Sequence, residues 1–474
     1  MFWWIAAGAV LALILVGLAV ANRNRRQQPR FARPTRPAGI SRRHSYTVVA
    51  IVLVLIGAAF GYYHLPHIVY EIWMVPLILT AFIWMLFLLV SAHLNPVYRD
   101  PVPPGLRSSV VIPVYNEDAT TFARVLESIS DQSHRPDYVY VIEDGSQEDL
   151  ACRAIFEKWA ASGASAGIVA KYHYQQNAGK REAQAVAFRS LMDVTDVFIT
   201  IDSDTVLDPN AIEEGLRPFA DERVMSVAGL LLDLNRAKWR VRALGLGFVS
   251  SFTNGRAAWS AWKGVAVNCG GLAFYRTEVI RENLLDYLTQ RVFGKLAKFG
   301  DDRMLTQFAT LHGRTVFQET SAAYTLMPDR ISHLTRQRVR WWKSFWWGGL
   351  WILRHQSPTR SVWWLVLSQY ITFLLNAVVF PACLIVYPLI EGRLPWPLLI
   401  YIAVLSYLRL ARTLVIRRPD VSGLRQFLEY LVLAPVCSLL MIYLGPILQY
   451  WALITLRSSA WGTRKQVEVS LQSS

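Results

Sequence analysis

Cysteine is scarce: four residues in a chain of 474, too few and too scattered for a disulfide-stapled fold. Cys152, Cys269, Cys383 and Cys437 also lack the paired spacing of a zinc or redox motif. Charge is scarce as well. Asp, Glu, Lys and Arg make up 18% of the chain, against about 25% in soluble globular proteins. Acid is the scarcer sign, since 34 Asp and Glu oppose 49 Lys and Arg and leave a net charge of +15. The G-x-x-x-x-G-K-[ST] loop and a strand-linked G-x-G-x-x-G are both missing, which counts against ATPase and dinucleotide-binding readings. What is abundant is apolar: 53% of the residues, with a mean hydropathy of +0.27. A chain both apolar and basic fits anionic lipid better than nucleic acid.

The apolar residues gather in runs. Phe2 to Ala21 carries no charge and is long enough to cross a hydrocarbon core of about 30 Å. No Lys or Arg precedes it, unlike a cleavable signal peptide. Arg23, Arg25, Arg26, Arg30, Arg33, Arg36, Arg42 and Arg43 follow it, so the positive-inside rule places that loop in the cytoplasm. Further spans are expected at 47–63 and 68–92, giving an N-terminal membrane block over residues 1–99. Apolar runs resume at 362–390, 396–408 and 427–456, within a C-terminal block over 359–456. The last run contains Pro435 and Pro446, and reads either as one tilted crossing with an interfacial piece or as two short crossings. Arg457, Arg464 and Lys465 favour a cytoplasmic tail over 457–474. The expected location is the plasma membrane, multi-pass, with the central part cytoplasmic.

Residues 106–330 have a different texture. Short β-rich runs alternate with amphipathic stretches, the pattern of a parallel sheet covered by helices. Strands are expected at 109–114, 138–142, 168–174 and 197–201, with helices at 121–130 and 179–192. In open α/β sheets a ligand binds beyond the carboxyl ends of the strands. Asn116-Glu117, Asp144 and Asp202/Asp204 all fall at such ends. Asp202-Ser203-Asp204 offers two hard oxygen ligands, suited to Mg²⁺ or Mn²⁺ on a diphosphate; the plainer reading is a solvated turn. Gly179-Lys180-Arg181 opens a helix, where N–H groups and two cations can meet an anion or simply face solvent. In Gly300-Asp301-Asp302-Arg303 the paired acids can raise one pKa and make a base, or Asp302 can serve as a helix N-cap. Gln337-Arg338-Val339-Arg340-Trp341 precedes Trp346, Trp347 and Trp351, which read as an interfacial belt, so residues 331–358 are expected to form interfacial helices.

Taken in order, Pro113-x-Tyr115-Asn116-Glu117, Glu143-Asp144-Gly145-Ser146, Gly179-Lys180-Arg181, Asp202-Ser203-Asp204, Gly300-Asp301-Asp302-Arg303 and Gln337-x-x-Arg340-Trp341 resemble the inverting family 2 nucleotide-sugar glycosyltransferases, in their processive membrane-embedded branch. Val267 to Arg276, Tyr287 to Gly294, Gly300 to Thr306, Arg340 to Phe345 and Trp461-Gly462-Thr463-Arg464 narrow the resemblance to hyaluronan synthases. Gly270-Gly271, Thr289 and Arg338 depart from the usual pattern.

The resemblance implies a Rossmann-like α/β domain of GT-A type inserted between α-helical transmembrane blocks. It implies that Tyr115, Glu117 and Asp144 contact uridine, that Lys180 and Arg181 hold the nucleotide and donor, and that Asp202 lies near the ribose or sugar. Asp204 would bind Mg²⁺ or Mn²⁺. Asp302 would be the general base, with Asp301 and Arg303 beside it against substrate. Arg340 and Gln337 would stabilise the departing diphosphate, Trp341 would stack on the acceptor sugar, and Cys269 would line the acceptor end. The expected partners are UDP-sugar donors, a growing polysaccharide and membrane lipid, with no nucleic acid and no obligatory protein partner. The implied product is hyaluronan, from UDP-GlcNAc and UDP-glucuronate, exported as it is made. A single-sugar polymerase making chitin-like, poly-GlcNAc or cellulose-like chains is the alternative, followed by lipid-linked glycosyl transfer.

Overall fold

A computed structural model describes residues 39–40, 75–146, 150–297, 299–392 and 406–457. The expected spans at 2–21 and 47–63, the arginine-rich loop between them, most of the run at 396–408 and the segment Trp461–Arg464 lie outside these residues.

Apolar alternation builds the centre of the molecule. Strand β1 (Ser108–Val114) is buried at every position. Val110, Ile112 and Val114 face one side and pack with Phe122, Val125, Leu126 and Ile129 of helix α2 (Ala119–Ser130). Val111 faces the other side and joins Ala183, Ala187, Phe188 and Leu191 of helix α3 (Lys180–Leu191). Successive strand side chains point to opposite faces, so a run apolar at every position demands cover on both. Helix α2 starts where Asp118 caps it, its Oδ2 accepting from the Thr121 N–H at 2.9 Å.

Strands β2 (Tyr138–Asp144), β3 (Val169–Gln175), β4 (Val197–Thr200), β5 (Val206–Leu207), β6 (Val224–Asp233), β7 (Ala273–Arg276) and β8 (Arg314–Thr325) complete one eight-stranded sheet. Its order is β3-β2-β1-β4-β7-β6-β8-β5. The first four strands are parallel, as the sequence predicts. Strand β7 is not: it runs antiparallel to both β4 and β6, so the sheet is mixed. The site lies where β1, β2 and β4 end.

Helix α1 (Val75–His93) precedes the sheet. After it come α4 (Trp239–Ser250), α5 (Asp301–His312), α6 (Ile331–His355), α7 (Ser361–Pro381) and α8 (Gly423–Ile454). Helix α8 is one uninterrupted 32-residue helix, so the last apolar run is a single element despite Pro435 and Pro446. At 1.5 Å per residue it is roughly 48 Å long. Pro435 has no N–H for the carbonyl of Leu431, four residues back. The Tyr407 hydroxyl donates to that carbonyl at 2.8 Å, and the Tyr430 hydroxyl donates to the Tyr407 carbonyl at 2.7 Å.

Among the described residues one stretch, Gly423–Met441, is long and apolar enough to cross a membrane, while Ile83–His93 and Ser361–Leu374 are shorter apolar helical stretches. Large exposed apolar side chains cluster on these helices: Leu86 and Val90 on α1, Ile371 and Leu374 on α7, and Leu428 and Val432 on α8. Trp346 and Trp351 do not form the expected belt. Trp346 is buried against Tyr370 and Phe373 of α7 and donates from Nε1 to the Gln449 carbonyl of α8 at 3.3 Å. Trp351 meets Phe308 of α5 edge-on at 5.9 Å. Helix–helix packing uses the aromatic area that the linear sequence offers equally well to headgroups.

Candidate active site

Strand β2 ends in Glu143-Asp144-Gly145-Ser146, and each polar group there acts on the loops around it. Glu143 accepts from the Tyr172 hydroxyl at 3.1 Å and from the Ser146 hydroxyl. Ser146 Oγ in turn accepts from the Asn116 N–H at 2.7 Å, which ties the end of β1 to the end of β2. Gly145 sits at φ 70°, and a Cβ there would lie 2.6 Å from the Asn177 nitrogen, so only glycine fits. The Asp144 carboxylate accepts from Gln175 Nε2 at 2.7 Å and from the N–H groups of Ala178 and Gly179 at 2.9 Å each. It therefore fixes the loop that delivers α3. Glu117 accepts from the Ser203 hydroxyl at 2.6 Å, linking the first motif to Asp202-Ser203-Asp204.

Helix α3 brings Lys180 to the centre. Its Nζ lies 2.6 Å from Asp202 Oδ1 and 3.0 Å from Asp301 Oδ2. Burial opposes its charge, but the two carboxylates outweigh burial and raise its pKa well above the usual value. Arg181 behaves differently from the expected phosphate contact. Its guanidinium donates to the carbonyls of Tyr287 and Phe299, at 3.0 and 2.7 Å, and to Gln290 Oε1 at 2.8 Å. It also lies 5.1 Å from the centre of the Tyr287 ring. It clamps the segment leading into the acid pair, because five donors in a rigid fork suit a cluster of carbonyls.

That segment ends at Gly300, at φ 69°, which is the residue capping α5. Asp302 is therefore not the N-cap; it is the second residue of the helix. A Cβ on Gly300 would fall 2.6 Å from Ser344 Oγ, which fixes how closely α5 meets α6. The two acids then diverge. Burial works against ionisation of Asp301, but Lys180 overrides it and lowers the pKa. Asp302 is raised, first by burial and then by the charge of Asp301. Arg303, expected to touch substrate, donates from Nε to Ser344 Oγ at 3.0 Å and joins α5 to α6.

Helix α6 carries Gln337, Arg340 and Trp341. Gln337 and Arg340 are three apart and share a face with Ser344, which meets Arg303 of α5. Trp341 stacks on Phe248 of α4 with centroids 6.1 Å apart, and the Arg338 guanidinium lies 4.9 Å from its ring centre. Cys269 lines the cavity as a neutral thiol, pushed up to about 12 by burial. Every residue to which the resemblance assigns a role lines one continuous cavity of about 1810 Å³, reaching from Tyr115, Glu117, Asp144 and Asp204 at the sheet, past Asp302, to Ser438 and Met441 of α8.

Arg256 was not found from the sequence. It ends the π-helical turn Ser251–Arg256, lines the same cavity, donates to the carbonyls of Val267 and Asn268 at 3.1 and 3.2 Å, and feels the charge of Asp302. The only trace it leaves is one arginine among small and apolar residues. π-Turns recur at functional sites but have no local sequence signature.

A glycosyl transferase family 2 model matches residues 109–284, and a glycosyl transferase family group 2 model matches residues 197–411. A hyaluronan synthase from Streptococcus pyogenes serotype M1 is 31% identical over 372 residues, covering 77% of this chain and 85% of that protein. The chain belongs to the family 2 glycosyltransferases. An N-acetylglucosaminyltransferase from Rhizobium sp. (strain N33) is also 31% identical, over 78% of this chain and 80% of its own. The solved mannosyltransferase of Pyrobaculum calidifontis overlays with a TM-score of 0.49 at 18% identity, covering 83% of this chain and 99% of that one. In this family 2 glycosyltransferase the parallel half of the mixed α/β sheet is β3-β2-β1-β4.

Proposed function

We propose that this family 2 glycosyltransferase polymerises UDP-GlcNAc and UDP-glucuronate into hyaluronan and passes the growing chain outward through the membrane. The observation that carries this reading is the continuity of the cavity. It joins the acid pair beneath Lys180 to a passage walled by α6 and α8, so a product made at Asp302 has a route between apolar helices. The similarity to a streptococcal hyaluronan synthase supports the choice of polymer.

In this reading the donor's nucleotide lies over Tyr115, Glu117 and Asp144, with Asp202 near its ribose or sugar. Asp204 is the metal ligand. Its neighbour Asp202 is already paired with Lys180, and no group of three or more His, Cys, Asp or Glu occurs among the described residues. That fits a Mg²⁺ or Mn²⁺ ion held by one or two carboxylates and completed by substrate phosphates. Such an ion, when bound, neutralises charge on the diphosphate. Asp302, raised toward its neutral form, accepts the proton of the acceptor hydroxyl as that oxygen attacks the anomeric carbon. Attack in line with the departing diphosphate inverts an α-linked donor to a β-linkage. Arg340 and Gln337 meet the charge that develops on the leaving group. Lys180 holds Asp301 ionised beside the base. Arg181 and Arg303 position the acid pair, and Trp341 and Cys269 border the acceptor.

The proposed organisation places residues 1–99 and 359–456 in the membrane, with 106–330 and the tail from 457 in the cytoplasm. The exposed apolar faces of α1, α7 and α8 support a lipid contact. The test is product analysis: membranes given labelled UDP-GlcNAc form hyaluronidase-sensitive polymer only when UDP-glucuronate is present. Polymer formed from UDP-GlcNAc alone overturns the reading in favour of a single-sugar polymerase, an alternative supported by the equal similarity of the Rhizobium N-acetylglucosaminyltransferase.

A further inference from the structure

The cavity wall beyond Trp341 holds two arginines that the proposed chemistry does not use. Arg338 and Arg409 both line it. Arg338 packs over the Trp341 ring at 4.9 Å, and its Nε has no hydrogen-bond partner. Among the described residues no carboxylate forms an ion pair with either guanidinium. The groups whose fields reach Arg338 are Cys437 of α8 and Arg409, and burial with this second cation brings its pKa down to about 10. The Arg409 carbonyl accepts from the Ser250 hydroxyl at 3.1 Å, which ties its backbone to α4, while its side chain is exposed.

Helix geometry separates these cations from the reaction centre. Successive residues turn by about 100°. Ser344 faces α5, where it meets Arg303, and Gln337 and Arg340 lie within about 40° of it round the helix. Arg338 lies about 120° round the helix from Ser344, beside Trp341, whose ring stacks on Phe248 of α4, and within the field of Cys437 of α8. Arg338, braced on the Trp341 ring with its Nε unpartnered, is costly in this largely apolar wall unless an anion comes to it, and the exposed Arg409 adds a second positive charge nearby. The donor's diphosphate belongs at the opposite end, beside Asp202 and Asp204. What passes Trp341 in the proposed function is the acceptor chain, and the anion such a chain can carry is a sugar carboxylate. A guanidinium braced on an aromatic ring presents the planar fork that binds carboxylate in two-point fashion.

We propose that Arg338, assisted by Arg409, forms a carboxylate-binding subsite for an acidic sugar of the acceptor chain, on the side of Trp341 away from Asp302. This rests on the proposed function and names a specificity determinant within it. The test uses the full-length protein in lipid nanodiscs with UDP present. Binding of an alternating β-linked GlcNAc–glucuronate tetrasaccharide is compared with binding of its carboxyl-reduced, uncharged counterpart. The wild type prefers the acidic form by about tenfold or more. Arg338→Gln removes that preference by weakening the acidic form alone, and Arg338→Lys, which keeps the charge, retains part of it. Equal weakening of both sugars in Arg338→Gln, or a wild type that does not discriminate, overturns the subsite. The preference persists in nanodiscs of neutral and of anionic lipid; a preference abolished by anionic lipid assigns the arginines to headgroup phosphate and overturns it too. Donor use keeps the two claims apart. A wild type that incorporates glucuronate while Arg338→Gln keeps full selectivity overturns the subsite alone, whereas polymer from UDP-GlcNAc alone overturns both.

Discussion

Asp301 and Asp302 are adjacent in sequence and equally buried, yet their ionisation is driven apart by one lysine. Lys180 touches Asp301 at 3.0 Å and makes it the stronger acid, and the charge so fixed raises Asp302. A base works when ionised, so activity should fall as pH drops through the raised Asp302 pKa, placing the acid limb of kcat/KM at higher pH than an unperturbed aspartate would. Asp301→Asn removes the negative neighbour and should move that limb to lower pH; a limb that stays put or rises removes Asp301 as the cause. Asp302→Asn should abolish transfer while UDP still binds, by radiolabelled transfer and by calorimetry, and turnover at the wild-type rate would rule out Asp302 as the base. Asp204→Ala should eliminate the Mn²⁺-dependent part of UDP binding, which unchanged binding would disprove. These acids were legible because strand-end carboxylates and D-x-D spacing are local patterns. Arg181 and Arg303 were legible as motif members but not in their contacts, since the carbonyls and the serine they bind lie on segments distant in sequence.

Helix α8 shows why elements were only partly legible. Two prolines in an apolar run suggest a break because each removes a backbone donor. The break is averted at Pro435 by a hydroxyl from outside the helix, Tyr407, which no reading of residues 427–456 contains. Tyr407→Phe leaves the Leu431 carbonyl unpaired and should cost about 1–3 kcal/mol. Thermal unfolding in detergent measures it, and an unchanged midpoint would mean that water or another donor serves as well. The reverse case is β1, where seven buried residues with helices on both faces make the strand readable from its own sequence. Strand β7 is not among the expected strands, and its antiparallel insertion between β4 and β6 depends on where the chain returns, which composition does not carry.

At the scale of the whole molecule, the sheet and helix α8 are joined by buried ion pairs. Asp233, at the end of β6, meets Arg418 at 2.7 Å and also pairs with Arg236. Arg236 also pairs with Glu429 of α8, which carries the link to the helix; Arg425, exposed on α8 itself, adds a pair within the helix at 3.0 Å. Close by, Arg412 pairs with Glu319 of β8 at 3.2 Å, both side chains buried. Asp233→Asn strips the charge from the buried end, leaving Arg418 with Asp420 and Arg236 with Glu429 as remaining partners, and should cost about 1–3 kcal/mol. Its readout is a lowered unfolding midpoint and loss of UDP-sugar turnover at growth temperature; a variant as stable as wild type would show that the network is not structural. The sequence shows the alternation of membrane-like and sheet-like segments but not this joint, because its members come from four separate stretches of chain.

The depth of that joint has a consequence at the bench. Ionic strength weakens contacts that water can reach and barely touches those it cannot. Asp233 and Arg418 are 1% and 5% exposed at their side chains. Concentrated salt should therefore leave the sheet packed against helix α8, with the unfolding midpoint little changed, whereas ion pairs at the exposed surface would be screened.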